Sequence, residues 1–134
     1  MLAHMKADAD LIALVPAARQ YPSTTPASPT FPFTRFDAPS SSPLDGACYA
    51  GAEVTFLLHA FAKPLEVDEA IVEDAEDFAG RIGSAMKLAI HNRRVPAADT
   101  TALLKVRSVR LIRDGDEADA YHAILSCVAR VLAT

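Results

Sequence analysis

The chain lacks the excess of basic residues that is typical of nucleic-acid-binding proteins. It has 13 Lys and Arg residues against 17 Asp and Glu residues, so its net charge is -4. A surface of this sign repels phosphate, and a basic footprint is the usual electrostatic signature of DNA or RNA binding. The composition therefore argues against a protein whose task is to grip nucleic acid.

Cysteines and long apolar runs are also scarce. The two cysteines, Cys48 and Cys127, are too few for a disulfide framework, and we expect no bond between them because cytosolic thiols stay reduced. No run reaches the roughly 18 apolar residues that span a bilayer. Near the N-terminus Asp8 and Asp10 precede the apolar patch, unlike the charges of a secretory signal. These features predict a protein that is made and kept in the cytoplasm.

Motifs that carry catalytic or metal chemistry are missing as well. Histidines 4, 59, 91 and 122 lie far apart and lack the spacing of metal ligands. Serines 40–42 have no Gly-x-Ser-x-Gly context, and the glycines of "DGACYAGAEV" have no Lys-Ser or Lys-Thr pair to complete a phosphate-binding loop. The carboxylates of "VDEAIVEDAEDF" fall on the solvent side of a helical pattern. We therefore predict no enzyme, no metal site and no cofactor.

The apolar content fits one globular domain over residues 1–134. Hydrophobic residues make up 51% of the 134-residue chain, which is enough for one core and too little for two. A helical period predicts a short helix over residues 2–14 that ends before Pro16. Seven of the nine prolines precede residue 44, so the region after this helix is predicted to be extended.

Alternation and periodicity predict the remaining elements. Strands are predicted over 31–37 and 52–62, an amphipathic helix over 67–91, and two further strands over 105–113 and 118–132. Alternation places Phe56, Leu58 and Ala60 on one face of the second strand, whose other face mixes polar and apolar residues and is therefore predicted to be partly covered. In the same way Ala123, Leu125 and Cys127 share one face of the last strand, and Arg110 shares a face with Val106. Asp114-Gly115-Asp116 is a turn signal between the last two strands, whereas residues 92–104 read as a loop. The order predicts an α+β fold: an antiparallel β-sheet with an N-terminal short helix and one long amphipathic helix packed on one face, plus a C-terminal β-hairpin.

A polar segment between two predicted strands is the most unusual feature. Residues 38–51, "APSSSPLDGACYAG", lead directly into the apolar strand "AEVTFLLHAFA". They predict a protruding arm or loop. Two interpretations stay open: an ordinary surface loop, or a segment that grips another subunit. The residues assigned to the gripping segment are Ser40, Ser41, Ser42, Pro43, Leu44, Asp45 and Gly46.

The succession of motifs resembles one known family. The motifs are "FPFTRFD", "PLDG", a strand ending in "HAFA", the helix "AEDFAGRIGSAMKLAI", and the final pair of strands in "VRSVRLIRDGDEADAYHAILSCVARVL". This arrangement resembles the tail-terminator, or tail-completion, proteins of long-tailed phages, prophages and gene transfer agents. The likeness extends from about Met5 to Leu132.

The resemblance implies a structural virion protein. Such proteins form a ring, generally a hexamer, which caps the tail tube, stops its growth and provides the surface for head–tail joining. The implied partners are further copies of the chain, the tail tube protein and the head–tail connector or stopper protein. DNA passes through the bore as non-specific cargo, no membrane is involved, and assembly takes place in the host cytoplasm.

Charged residues could contribute to contacts between such subunits. We expect arginines of the strand over 105–113 to pair with the acidic start of the helix in an adjacent subunit, although ordinary solvated charges are an equally open interpretation. The pairing candidates are Arg107, Arg110, Arg113, Glu66, Asp68 and Glu69. The alternative functions are another head–tail connector, such as a stopper or adaptor, and a small ligand-binding α+β domain.

Overall fold

A six-stranded sheet with one long helix across one face forms the body of the protein. The computed structural model describes residues 1–46, 49–98, 100–115 and 117–133. The predicted α+β fold is confirmed. Its elements are α1 (Leu2–Lys6), α2 (Ala9–Leu14), a 3-10 turn (Ala17–Arg19), β1 (Gln20–Tyr21), β2 (Phe33–Gly46), β3 (Tyr49–Ala62), β4 (Leu65–Val67), β5 (Ala70–Glu73), α3 (Ala75–Ile90), β6 (Arg94–Ala97), β7 (Thr100–Arg113) and β8 (Tyr121–Ala133).

The main sheet has the strand order β1-β2-β3-β8-β7-β6, and β4 and β5 form a separate hairpin. All pairs are antiparallel except the short β1–β2 pair. In β3 and β8 the residues predicted to share one face do so, because Phe56, Leu58 and Ala60 pair with Cys127, Leu125 and Ala123. All six are buried. This face of the two central strands forms the floor of the core.

Helix α3 covers that floor and begins later than predicted. Its apolar stripe includes Phe78, Ile82 and Met86, all of which are buried. The predicted start at residue 67 was wrong because residues 65–73 form the β4–β5 hairpin. Asp74 fixes the true start of α3, since its side chain accepts a hydrogen bond of 2.8 Å from the backbone N–H of Asp77.

The N-terminal helix is divided into α1 and α2. Asp8 separates them because its side chain caps α2, accepting a hydrogen bond of 2.9 Å from the N–H of Leu11. Met5 of α1 and Leu11 of α2 are both buried in the same core as α3. Within the described residues, no helix has both the length and the apolar character needed to cross a membrane.

Residues 92–104, predicted to be a loop, contain β6 and the first part of β7. The predicted faces of β7 also need correction, because a bulge lies between Val106 and Ser108. Val106 is buried and pairs with Cys127. Arg110 was predicted to lie on the same face as Val106, but it pairs with Ile124 and lies on the opposite face. An extra residue in one strand reverses the alternation beyond it.

Two sequence predictions fall partly outside the described residues. Cys48 lies outside them, and Cys127 is a buried free thiol whose pKa is raised to about 12 by burial. Asp116 also lies outside them. Residues 114–120 connect β7 to β8, and within this segment the N–H of Asp114 donates to the carbonyl of Ala120 at 3.0 Å.

Gly51 allows β3 to approach β8 closely. A Cβ at this position would lie 2.2 Å from the carbonyl oxygen of Val131 and 3.1 Å from Cα of Leu132. Because both atoms belong to the backbone, rotation of a side chain cannot relieve the clash. We expect Gly51→Ala to lower the free energy of unfolding by about 1–3 kcal/mol, measured by urea denaturation.

Gly115→Ala is the matched control, since a Cβ there would have no atom within 4 Å. This substitution should change stability by no more than about 0.5 kcal/mol. Equal stability of the two variants would contradict the close approach of β3 and β8 at Gly51.

Candidate functional site

The predicted arm is not a loop in the structure. Residues 38–46 continue β2, and residues 49–51 begin β3, so the two strands form one long hairpin. Ser41 pairs with Val54, Pro43 with Ala52 and Asp45 with Ala50. Residues 38–46 and 49–51 therefore form paired strands and not a loop, whereas Ala47 and Cys48 lie outside the described residues.

The hairpin is extended because both of its strands have partners. The β3 half of the arm pairs with β8, as in the register Gly51–Leu132, and Thr55 Oγ1 donates to the carbonyl of Ser40 at 3.4 Å. Serines are small enough to continue a strand, and a register shift between Asp37 and Ser40 marks where the arm begins. The side chains of Ser40, Ser41, Ser42, Pro43 and Asp45 are exposed, and Leu44 is half-buried.

The outer edge of β2 is open along the arm. Strand β1 pairs only with Thr34 and Arg35, and no other described strand pairs with this side of β2. An open edge exposes backbone groups that can bond to another chain. Pro39 and Pro43 each remove one N–H from the arm, which reduces indiscriminate pairing of such edges.

The opposite edge of the sheet is open as well. Strand β6 pairs with β7 only from Thr100 to Leu103, so most of β7 has a described partner on one side alone. Three aliphatic side chains along this strand, Val109, Leu111 and Ile112, are 39–41% exposed. The sheet therefore presents one uncovered edge on each side.

The arginines predicted to form contacts between subunits have different surroundings within the chain. Arg107 Nη2 lies 3.5 Å from Glu53 Oε1. Arg113 lies over the ring of Tyr121 at 5.8 Å, and its hydrogen bond to that residue raises the pKa of its guanidinium. Arg110 is exposed on the face of the sheet that α3 does not cover.

The predicted acidic partners lie elsewhere, on the β4–β5 hairpin. Glu66 is in β4, and Asp68 and Glu69 form the turn with φ values of 53° and 67°. All three are exposed. No ion pair between these carboxylates and the three arginines is seen in the chain, among the residues described. Their proposed pairing thus depends on a second copy.

The structure contains a histidine pair that the sequence did not predict, on the face of the sheet that α3 does not cover. Nδ1 of His59 and Nε2 of His122 are hydrogen-bonded, with ring centroids 4.6 Å apart. Phe61 stacks on His122 at 4.0 Å and on Phe33 at 4.7 Å. The two histidines are 63 residues apart in sequence, so only the β3–β8 register brings them together.

The histidine pair is kept neutral by its surroundings. Burial, and then repulsion from His59 whenever that ring is protonated, lower the pKa of His122 to about 4. Burial and Arg35 lower the pKa of His59, although Asp37 acts in the opposite direction. Asp37 Oδ2 lies 3.3 Å from Nε2 of His59, within ion-pair distance but without hydrogen-bond alignment.

These side chains do not form a metal-binding arrangement. The described part of the chain contains no group of three or more His, Cys, Asp or Glu residues that could hold a metal ion. The aromatic stack instead packs the histidine rings as part of a second, smaller apolar layer. This second layer explains why β3 has buried residues on both faces of the sheet. The mixture of polar and apolar residues on its second face had predicted such a cover.

Comparison with known proteins assigns a family. The family model described as "Tail completion protein gp17" matches residues 1–132. A chain of the solved structure "Virion of native gene transfer agent (GTA) particle" has a similar fold, with a TM-score of 0.77 and 18% sequence identity over 98% of this chain and 90% of that one. No curated protein matches the chain.

Proposed function

Because the chain belongs to the tail completion protein gp17 family, which gives it a structural role in a phage tail, we propose that copies of it form a ring on the end of the tail tube. The ring stops growth of the tube and provides the surface to which the filled head is joined. The proposed site of action is the neck of a phage or phage-like particle. The proposed partners are the tail tube protein and a head–tail connector or stopper protein.

One observation in particular supports a ring. The sheet has an open edge at β2 on one side and an open edge at β7 on the other, with β3 and β8 between them. A closed ring requires each subunit to offer two different surfaces to its two neighbours. Open edges on opposite sides of one sheet meet that requirement, and six copies are the number that the family resemblance implies.

The arm is our proposed contact with a neighbouring subunit. Strands β2 and β3 run 14 residues each, although no residue among the described positions 43–46 and 50–52 is buried. A hairpin extension that fully buries no side chain contributes little to the core. A neighbouring subunit that covers residues Ser40 to Gly46 would account for this length.

Contact through the arm need not be a full strand ladder. Pro39 and Pro43 cannot donate, whereas the backbone carbonyls of the arm that point away from β3 can still accept a hydrogen bond. Leu44 adds an apolar contact with the neighbouring subunit, and the three serines add polar contacts. The arm thus suits a partner with exposed donors and a matching surface, and it disfavours pairing with another copy of the same edge.

Charge supports a bore through which DNA passes without being held. The net charge of -4 makes strong phosphate binding unfavourable, since DNA-binding proteins neutralise the phosphates with Lys and Arg side chains. DNA is therefore proposed as cargo. Another connector of the neck, a stopper or adaptor, is the alternative that the following experiment distinguishes.

The function can be tested by deleting the gene and examining the particles by electron microscopy. We expect tails of uncontrolled length beside filled heads that have not been joined to them. Supplying the wild-type chain from a plasmid should restore joined particles. Tails of normal length beside unjoined heads would instead indicate a stopper or adaptor, and normal particles would contradict any role in completing the tail.

A further inference from the structure

The β4–β5 hairpin exposes more apolar surface than its own fold explains. Val67, Ile71 and Val72 are 52%, 64% and 59% exposed, although all are β-branched residues that normally pack against a neighbour. The hairpin is separate from the main sheet. A two-stranded hairpin is marginally stable on its own, so a surface that covers these residues would stabilise it. We call residues 65–73 the acidic hairpin.

Acidic side chains surround this apolar surface. Glu66 faces the same side of the hairpin as Ile71, its register partner, while Asp68 and Glu69 occupy the turn. The non-glycine turn residues adopt positive φ angles of 53° and 67°, which cost energy for residues other than glycine. The acidic hairpin therefore combines exposed aliphatic groups with three exposed carboxylates.

Strand β7 has a surface of the opposite charge with similar apolar content. Residues 105–113, which we call the basic strand, hold Lys105 and three arginines, all exposed. Val109 and Leu111 lie on the side of the sheet that faces α3, whereas Arg110 and Ile112 lie on the opposite side, so the open edge carries partly exposed aliphatic groups on both sides. No proline interrupts these nine residues. The basic strand thus complements the acidic hairpin in charge and in apolar character.

The two surfaces lie on different parts of the molecule. Glu66 and Ile71 line a depression with Phe31, Lys63 and Asp119, between the start of β2 and the connection from β7 to β8. The basic strand lies on the other side of β8, at the far edge of the sheet. One copy therefore presents the two surfaces to different neighbours, which is the arrangement of a heterologous contact.

The strand registers also place the two surfaces at the same end of the central strands. Ala62, three residues before β4, pairs with Tyr121, and Tyr121 pairs with Arg113. The arm lies at the other end of these strands, where Gly51 pairs with Leu132. Neighbours placed side by side could therefore make one contact through the arm and another through the acidic hairpin.

We propose that the acidic hairpin of one subunit docks on the basic strand of the next copy of this chain. The proposal rests on the proposed ring and assigns one of its contacts. Burial of aliphatic side chains supplies most of the attraction, at roughly 25 cal/mol per Å² of apolar surface. Exposed ion pairs add little each and chiefly select the partner and its register.

Paired charge reversals test this contact. In variant A, Glu66→Lys, Asp68→Lys and Glu69→Lys make all three exposed charges of the hairpin positive; in variant B, Arg110→Glu and Arg113→Glu make part of the basic strand negative. Each variant alone places like charges across the contact, so we expect ring assembly on purified tail tubes to weaken on the order of tenfold. Rings are counted by electron microscopy and by cross-linking.

A mixture of the two variants should restore assembly. In an alternating ring each positive hairpin meets a negative strand of B, and each negative hairpin meets the unaltered strand of A. Thermal melting checks that both variants are folded. Unchanged assembly of either variant alone, or failure of the mixture while both variants are folded, would overturn the proposed contact.

An apolar substitution provides an independent test. Val72→Ser should weaken assembly, whereas Leu88→Ser, at a 75% exposed position on α3, should leave it unchanged; equal effects would contradict the proposal. Failure of the contact is distinct from failure of the ring. If the wild-type chain caps tubes but the variants do so equally well, only the contact is wrong; if the wild-type chain never caps tubes, the ring itself is wrong.

Discussion

Replacement of residues 43–52 by Asn-Gly should abolish the joining of heads to tails while the subunit still folds. Ser42 and Glu53 are register partners, so a two-residue turn can connect them without shifting the sheet. Residues 43–46 and 50–52, which the replacement removes, are not buried. We expect the melting temperature to fall by only a few degrees, because the core is unchanged. The yield of joined particles should fall by tenfold or more.

The shortened variant is to be compared with one that alters the arm without shortening it. Replacing Ser40, Ser41 and Ser42 by threonine keeps the length, the polarity and the strand propensity of the arm, and joining should be largely retained. If the shortened variant caps tubes and joins heads as well as the wild-type chain, the arm is an ordinary surface hairpin. Loss of folding in the shortened variant would be seen as a lost melting transition.

Acidification should destabilise the protein through His122. Its pKa is lowered to about 4 in the fold from an ordinary value of 6.5, so the unfolded chain binds a proton more readily than the folded one. Stability from this residue is therefore complete above pH 6.5 and is lost as the pH falls toward 4. The difference corresponds to about 3 kcal/mol in the free energy of unfolding.

His59 should contribute in the same direction, since its pKa is also lowered. Urea denaturation at a series of pH values between 7.5 and 4 measures the slope. His122→Gln, which cannot be protonated, should be less stable than the wild-type chain at pH 7.5 and should lose less stability on acidification. A wild-type slope that this substitution leaves unchanged would contradict the role of His122.

The acid sensitivity has a structural consequence for assembly. The histidine pair joins β3 to β8, and Phe61 and Phe33 extend the stack toward β2. Repulsion between two protonated rings would act on the three strands that carry the arm and the centre of the sheet. Joining of heads to tails in vitro is therefore expected to be more efficient at pH 7.5 than at pH 4.

Several elements could be predicted from the sequence because their signals are local. The stripe of α3 and the alternation of β3 and β8 are properties of neighbouring residues, and both were correct in type and in the face that they bury. The family resemblance depended on the order of these elements. It was confirmed by the match over residues 1–132.

Other elements depended on partners that are distant in sequence. Serines and prolines of residues 39–43 are typical of a loop, yet pairing with β3 and, through it, with β8 holds them in a strand. Ile71 continues the helical stripe of α3 toward the N-terminus, but the turn at Asp68 and Glu69 folds it into a hairpin. Local propensity was overridden in both cases by pairing between strands.

The sequence by itself determined the core face, the long helix and the absence of catalytic motifs, since each follows from the spacing of residues along the chain. Only the tertiary structure decided which edges stay open, where the bulge reverses the face of β7, and that His59 meets His122. These features depend on register, which relates strands that are distant in sequence, such as those of His59 and His122, 63 residues apart. Because a shift of one residue exchanges the two faces of a strand, periodicity within one strand cannot supply that relation.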